Sequence, residues 1–124
     1  MLRFALPLAL TLLALPVAAQ DVTPTGAWVD RYGTAFEFSM CGDGTDLCGV
    51  LRDIQGKSRT PDNLAFVNRQ VVKAEQVRNN EWKGTVVFDG KQAAATVTQV
   101  SPDTIEITGC RGGIFCQTLT FSRV

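Results

Sequence analysis

Thr34-Ala35-Phe36-Glu37-Phe38-Ser39-Met40-Cys41, resumed after a Gly42-Asp43-Gly44-Thr45-Asp46 break by Leu47-Cys48-Gly49-Val50-Leu51-Arg52-Asp53, decides the class of fold. Phe36, Phe38 and Met40 alternate with Glu37 and Ser39, and a period of two belongs to a strand with one face buried and the other in water. The glycine-rich break between two such runs predicts a hairpin. Cys41 and Cys48 stand at its tip. Bridging them sets Phe38 opposite Leu51 inside and Glu37 opposite Arg52 outside, so pairing and hydrophobic pattern agree on which face is the core.

From Gly26 onward the same alternation recurs at short intervals. Strands are predicted over Gly26 to Asp30, Thr34 to Met40, Leu47 to Asp53, Gln70 to Val77, Trp82 to Phe88, Gln92 to Gln99, Thr104 to Gly109 and Gln117 to Arg123. Asp89-Gly90 is a type I′ hairpin signal that sets Trp82 opposite Val97, Gly84 opposite Ala95 and Val86 opposite Ala93. A Cys110–Cys116 bridge sets Ile107 opposite Leu119 and Ile105 opposite Phe121, both inside, with Thr108 opposite Thr118 outside. A two-residue turn at Pro102-Asp103 would place inward Ile105 opposite Val100 and flip the preceding strand, so a three-residue Ser101-Pro102-Asp103 turn or a bulge is expected. Ile54 to Val67 is the one long connection, with a short helical turn over Asn63 to Phe66. Eight short antiparallel strands joined mostly by hairpins close most simply into an all-β up-and-down barrel, which leaves no exposed edge. At eight strands its interior is either filled by side chains or holds one small ligand.

Four Cys permit three pairings, and the local one, Cys41 with Cys48 and Cys110 with Cys116, gives each hairpin a consistent register with the sulfurs on the outer face. Neither couple has the C-x2–4-C spacing of a zinc site. The chain has 124 residues, 12 Lys and Arg against 12 Asp and Glu, and no His. Without His the commonest general base, the usual zinc ligand and the Ser-His and Cys-His pairs are all missing, so neither catalysis nor a metal or cofactor is expected. Asp43, Asp46 and Asp103 sit in turns, where turn-forming roles explain them. The Asp43-Gly44-Thr45-Asp46 loop is too short for an EF-hand and lacks its terminal Glu. Balanced charge argues against nucleic acid, whose binders carry a basic face for phosphates.

Arg3, an apolar run from Phe4 to Leu15, and Val17-Ala18-Ala19 before Gln20 have the plan of a cleavable secretory signal over residues 1–19. The run is shorter than the ~20 residues of a membrane span and is flanked and interrupted by Pro16 and Pro7. Residues 20–124 then form a single domain, periplasmic or secreted in the Gram-negative manner, where disulfides persist.

Several motifs in order, Gly26-Ala27-Trp28, Cys41-Gly42, Leu47-Cys48-Gly49, Asn68-Arg69, Glu81-Trp82-Lys83-Gly84, Asp89-Gly90-Lys91, Gly109-Cys110, Phe115-Cys116 and Ser122-Arg123-Val124, resemble the bacterial exported domain of unknown function 2147. The resemblance covers nearly the whole mature chain and implies a small, secreted, lipocalin-like barrel with no established activity, so no catalytic residues carry over. Gly26-x-Trp28 with a late Arg123 also resembles the lipocalin signature, in which an Arg of the last strand packs over the Trp of the first; both residues are therefore assigned to barrel closure. Two positions depart from the family's pattern. Ala93 stands where it tends to have an aromatic after the Asp-Gly-Lys turn, and Phe121 where it usually has Trp. With Gly84, Ala93 and Ala95 on adjacent strands the wall there is thin, and a void is expected unless Phe36, Phe38 or Phe121 fills it.

Two functional readings follow. One is a carrier or sensor binding a small, mostly apolar ligand within the barrel, its candidate lining being Phe36, Phe38, Trp82, Gly84, Phe88, Ala93, Ala95 and Phe121; a plain packed core explains the same alternation equally well. The other is a protein inhibitor or envelope interaction module that presents the Ile54–Val67 loop, with Lys57 and Arg59 and the nearby Arg52 and Arg69 as a basic rim to an envelope protein partner.

Overall fold

Eight antiparallel strands follow one another: β1 (Gly26–Asp30), β2 (Ala35–Cys41), β3 (Asp46–Asp53), β4 (Gln70–Arg78), β5 (Glu81–Phe88), β6 (Lys91–Ser101), β7 (Thr104–Arg111) and β8 (Phe115–Arg123). Each pairs with the next, β8 returns to β1, and the sheet closes into a barrel. The computed structural model describes residues 23–88 and 90–124, Phe88 by its backbone alone. The signal segment expected over 1–19 lies outside the described residues. Every strand falls within a residue or two of its predicted bounds, because alternation stops where turn residues begin.

Two hairpins keep the predicted register in full. Across β5 and β6, Trp82 faces Val97, Gly84 faces Ala95 and Val86 faces Ala93. Across β7 and β8, Ile107 faces Leu119, Ile105 faces Phe121 and Cys110 faces Cys116, the last pair being disulfide-bonded. On the outer side the Thr108 and Thr118 hydroxyls share a hydrogen bond of 2.8 Å.

The first hairpin differs by two residues. Cys41 faces Asp46 and Cys48 faces Ser39, so the Cys41–Cys48 disulfide runs diagonally; Phe38 lies opposite Gly49, while Leu51 faces Phe36 and Glu37 faces Val50. A four-residue loop causes the shift, with Gly42 at φ 62° and Gly44 at φ 100°, and Asp43 Oδ1 accepts hydrogen bonds from the Thr45 amide (3.0 Å) and hydroxyl (2.6 Å). The Phe38 ring occupies the space over Gly49, where a Cβ would lie 2.6 Å from Phe38 Cε1. A slip of two leaves every side chain on its own face, and Arg52 Nε still meets Glu37 Oε2 at 3.0 Å.

At the Pro102-Asp103 corner, Ser101 pairs with Thr104 and the register shifts between Gln99 and Ser101. The bulge, not the longer turn, preserves the faces: Ile105 meets Gln99 and Val100 is pushed out into solvent. In the long connection a 3-10 turn at Gly56–Ser58 precedes α1 (Pro61–Leu64), which begins earlier than the predicted turn. Thr60 caps it by accepting from the Asn63 amide at 3.2 Å, and Pro61 takes the first-turn position where its missing N–H costs nothing.

Inward residues make one core in which Trp28, Phe38, Leu47, Val72, Trp82, Val97 and Ile105 are nearly or wholly removed from water. Phe36 stacks near Phe38 at 5.8 Å and meets Phe121 edge-on at 5.3 Å.

Candidate functional site

The two ends of the barrel are built differently. At the end where β1 begins and β8 finishes, the Arg123 guanidinium lies 4.4 Å over the Trp28 ring. It donates to the carbonyls of Pro102 (Nε 3.0 Å, Nη2 2.9 Å), Thr25 (Nη1 2.8 Å) and Thr23 (Nη2 2.8 Å). Trp28 Nε1 donates to Pro24 O at 2.8 Å, and Trp82 Nε1 to Thr45 O at 2.9 Å. The two indoles thus bind the N-terminal segment and the β2–β3 turn across this end. Gly26 at φ 131° is required here, because a Cβ would stand 3.0 Å from Arg123 Nη1 in a conformation that side chains rarely adopt.

The opposite end is open. A cavity of about 880 Å³ runs inward from the β1–β2 turn, the Ile54–Phe66 segment, the β5–β6 turn and the β7–β8 hairpin. Phe36, Leu51, Val71, Val86, Ile107 and Phe121 form its apolar walls. Its size falls within the ~300–1,000 Å³ of small-molecule sites.

The predicted interior residues divide between these ends. Phe36, Ala93 and Phe121 line the cavity. Phe38, Trp82 and Ala95 are buried towards the plugged end and do not line it. Gly84 belongs to the wall itself, since a Cβ there would sit 1.9 Å from Lys73 O; the volume it lacks is taken up by the close approach of β4. The Phe88 side chain lies outside the described residues.

Comparison with solved structures fits this geometry. Protein HP1028 from the human pathogen Helicobacter pylori, described as belonging to the lipocalin family, superposes with a TM-score of 0.58 at 18% identity, over 83% of this chain and 84% of that one. The barrel is lipocalin-like. At that identity the likeness is one of fold. No family model and no curated protein sequence matches the chain.

One lining residue of this lipocalin-like barrel is a buried carboxylate. Asp30, two residues after Trp28 on the same inward face of β1, is only 7% exposed and faces Phe121. Its Oδ1 accepts from the amides of Tyr32 and Thr34, both at 2.9 Å, and so folds the β1–β2 turn. Its Oδ2 is buried without a hydrogen-bond partner among the described residues. Sequence reasoning did not single it out, although a carboxylate at the inward parity of a strand is the signal. Asp30→Ala is expected to lower stability by about 1–3 kcal/mol through the orphaned turn amides. Asp30→Asn, which keeps an Oδ1 acceptor, should cost less; urea midpoints of the two variants compare them.

Asp43, by contrast, is engaged in its own exposed turn. The Thr45 hydroxyl, and after it the Thr45 amide, hold its carboxyl below the ordinary carboxylate range. The Ile54–Val67 connection is more than a surface loop. Ile54 is buried, Phe66 and Val67 pack on the core, and Lys57, Ser58 and Asn63 face the cavity. Among the described residues no helix is long and apolar enough to cross a membrane, and the two disulfides fit an oxidising, extracytoplasmic setting.

Proposed function

We propose that this protein is an exported carrier or sensor that holds one small, mostly apolar ligand in the open end of its barrel. The observation that carries the reading is the asymmetry of the two ends: Trp28 and Arg123 plug one, and an apolar cavity of about 880 Å³ occupies the other. Lipocalin-like architecture supports it, as does a lining whose one buried carboxylate already serves a turn. Binding is favoured over catalysis, since the chain contains no His to act as a base. The motifs resembling the exported domain of unknown function 2147 agree with a secreted or periplasmic site of action. Because Ile54–Val67 is built into the cavity rim, its residues serve better as an entrance than as an inhibitor's reactive loop.

Native mass spectrometry of protein purified from its own source should reveal a small-molecule adduct, and that adduct, added back, should raise the unfolding midpoint by mass action. Ala93→Phe restores an aromatic to a small, cavity-lining position. It is expected to weaken binding at least about tenfold, the effect of some 1.4 kcal/mol, while leaving the midpoint of the empty protein unchanged or higher. A bare mass, with no midpoint shift from any lipid extract, would overturn the proposal.

A further inference from the structure

The rim of the open end carries two features that enclosing a small ligand does not require. Ile114 and Phe115 are 82% and 78% exposed at the tip of the β7–β8 hairpin. This tip is not a loose end: the Cys110–Cys116 disulfide clamps its base, and Gly112 and Gly113, both at positive φ, turn it so that a Cβ on either would meet nothing within 4 Å. Ile114 is therefore held clear of the body, and Phe115, at the edge of the cavity mouth, keeps most of its surface in water, although water penalises the exposure of both. Tyr32 and Leu64, on neighbouring rim segments, are also exposed.

The second feature is charge. Exposed Arg31, Lys57, Arg59, Arg69, Lys91 and Arg111 lie on the turns, connections and strand ends of this end, against the exposed Asp53 and Asp62 and the buried Asp30. At the plugged end lie Asp43, Asp46, Asp103 and Glu81 with Arg78 and Arg123, and of these Glu81 pairs with Arg78 while Asp103 lies 3.8 Å from Arg123. The formal net charge of the whole chain is zero, yet among the described residues cations outnumber carboxylates around the cavity mouth.

We propose that the open end docks on an anionic bilayer surface, with Ile114 and Phe115 entering the headgroup region and the rim cations facing the lipid phosphates. Apolar side chains flanked by cations are the composition that partitions into such an interface, and each cation near an anionic surface adds to the attraction. The cavity mouth then faces the membrane. Docking stands on the rim alone and holds whether or not the cavity carries a ligand.

Flotation of the disulfide-bonded protein with phosphatidylglycerol–phosphatidylcholine vesicles, compared with phosphatidylcholine alone, tests it. Binding to the anionic vesicles should be at least about tenfold greater and should fall steeply on raising salt to ~0.5 M. Ile114→Ser with Phe115→Ser should reduce it about tenfold with an unchanged unfolding midpoint, since neither side chain is buried. Lys57→Gln with Arg59→Gln should reduce it while leaving the apolar tip intact. Every protein compared is the secreted form, without the signal segment expected over residues 1–19. Equal flotation on both vesicle types, no flotation on anionic vesicles, or wild-type flotation of both double variants overturns the proposal; capture of an envelope protein by the same tip without vesicle binding overturns it in favour of a protein contact.

Discussion

Gly84→Ala is expected to destabilise the barrel by about 3 kcal/mol or more, a fall in thermal midpoint of more than about 12 °C for a domain of this size. Gly84 pairs with Ala74 across β4 and β5. An added Cβ would stand 1.9 Å from Lys73 O and 2.6 Å from Ala74 Cα, and these are backbone atoms that cannot swing aside as a side-chain tip can. The strands must separate, at the expense of ladder hydrogen bonds. Gly109→Ala in β7 is the matched control: there the nearest atom, Val86 Cγ1, is 3.7 Å away, an ordinary contact, and the cost should stay below about 1 kcal/mol. Equal midpoints for the two variants would show that close approach of β4 is not what requires glycine at 84.

Arg123→Ala should cost about 3 kcal/mol. The guanidinium makes four hydrogen bonds to three carbonyls and covers the Trp28 ring. Single hydrogen bonds to charged groups contribute about 1.5–3 kcal/mol and a cation over an indole about 0.5–2; because all act through one group, their sum is an upper bound. The Asp103 carboxylate, 3.8 Å away and largely exposed, adds little. Arg123→Lys separates charge from geometry. An ammonium retains the charge but cannot fork to Pro102, Thr25 and Thr23 together, so it should recover less than half of the loss, read from urea denaturation. Full recovery by Lys would mean that charge alone closes this end.

The strands were legible in the sequence because alternation is a local property, and two hairpins were legible to the residue because a two-residue turn or a disulfide between directly opposed Cys leaves no freedom. Cys41 and Cys48 misled by two residues because a disulfide tolerates a diagonal pair, with Cα atoms 6.0 Å apart here. For the cavity the limit was different. Parity says which face a side chain occupies but not its height along the barrel axis, so Phe36 and Phe121 could not be separated from Phe38 and Trp82. That height depends on the stagger of all eight strands, which no single hairpin fixes. Asp30 was hidden for a related reason: placed at a strand end, it reads as a turn residue, and only closure of β1 against β8 makes it part of a wall.

That closure rests on three residue pairs, Trp28 with Arg123, Val29 with Ser122 and Asp30 with Phe121. A chain made from its N-terminus can zip seven of the eight strand pairings in the order of synthesis, each over a short span. The eighth must wait for almost the last residue, and it closes the longest loop in the molecule. Until Ser122 and Arg123 emerge, the nascent sheet has two free edges able to recruit other chains. Loss of a few C-terminal residues would therefore yield an open, adhesive sheet and not a slightly shorter barrel.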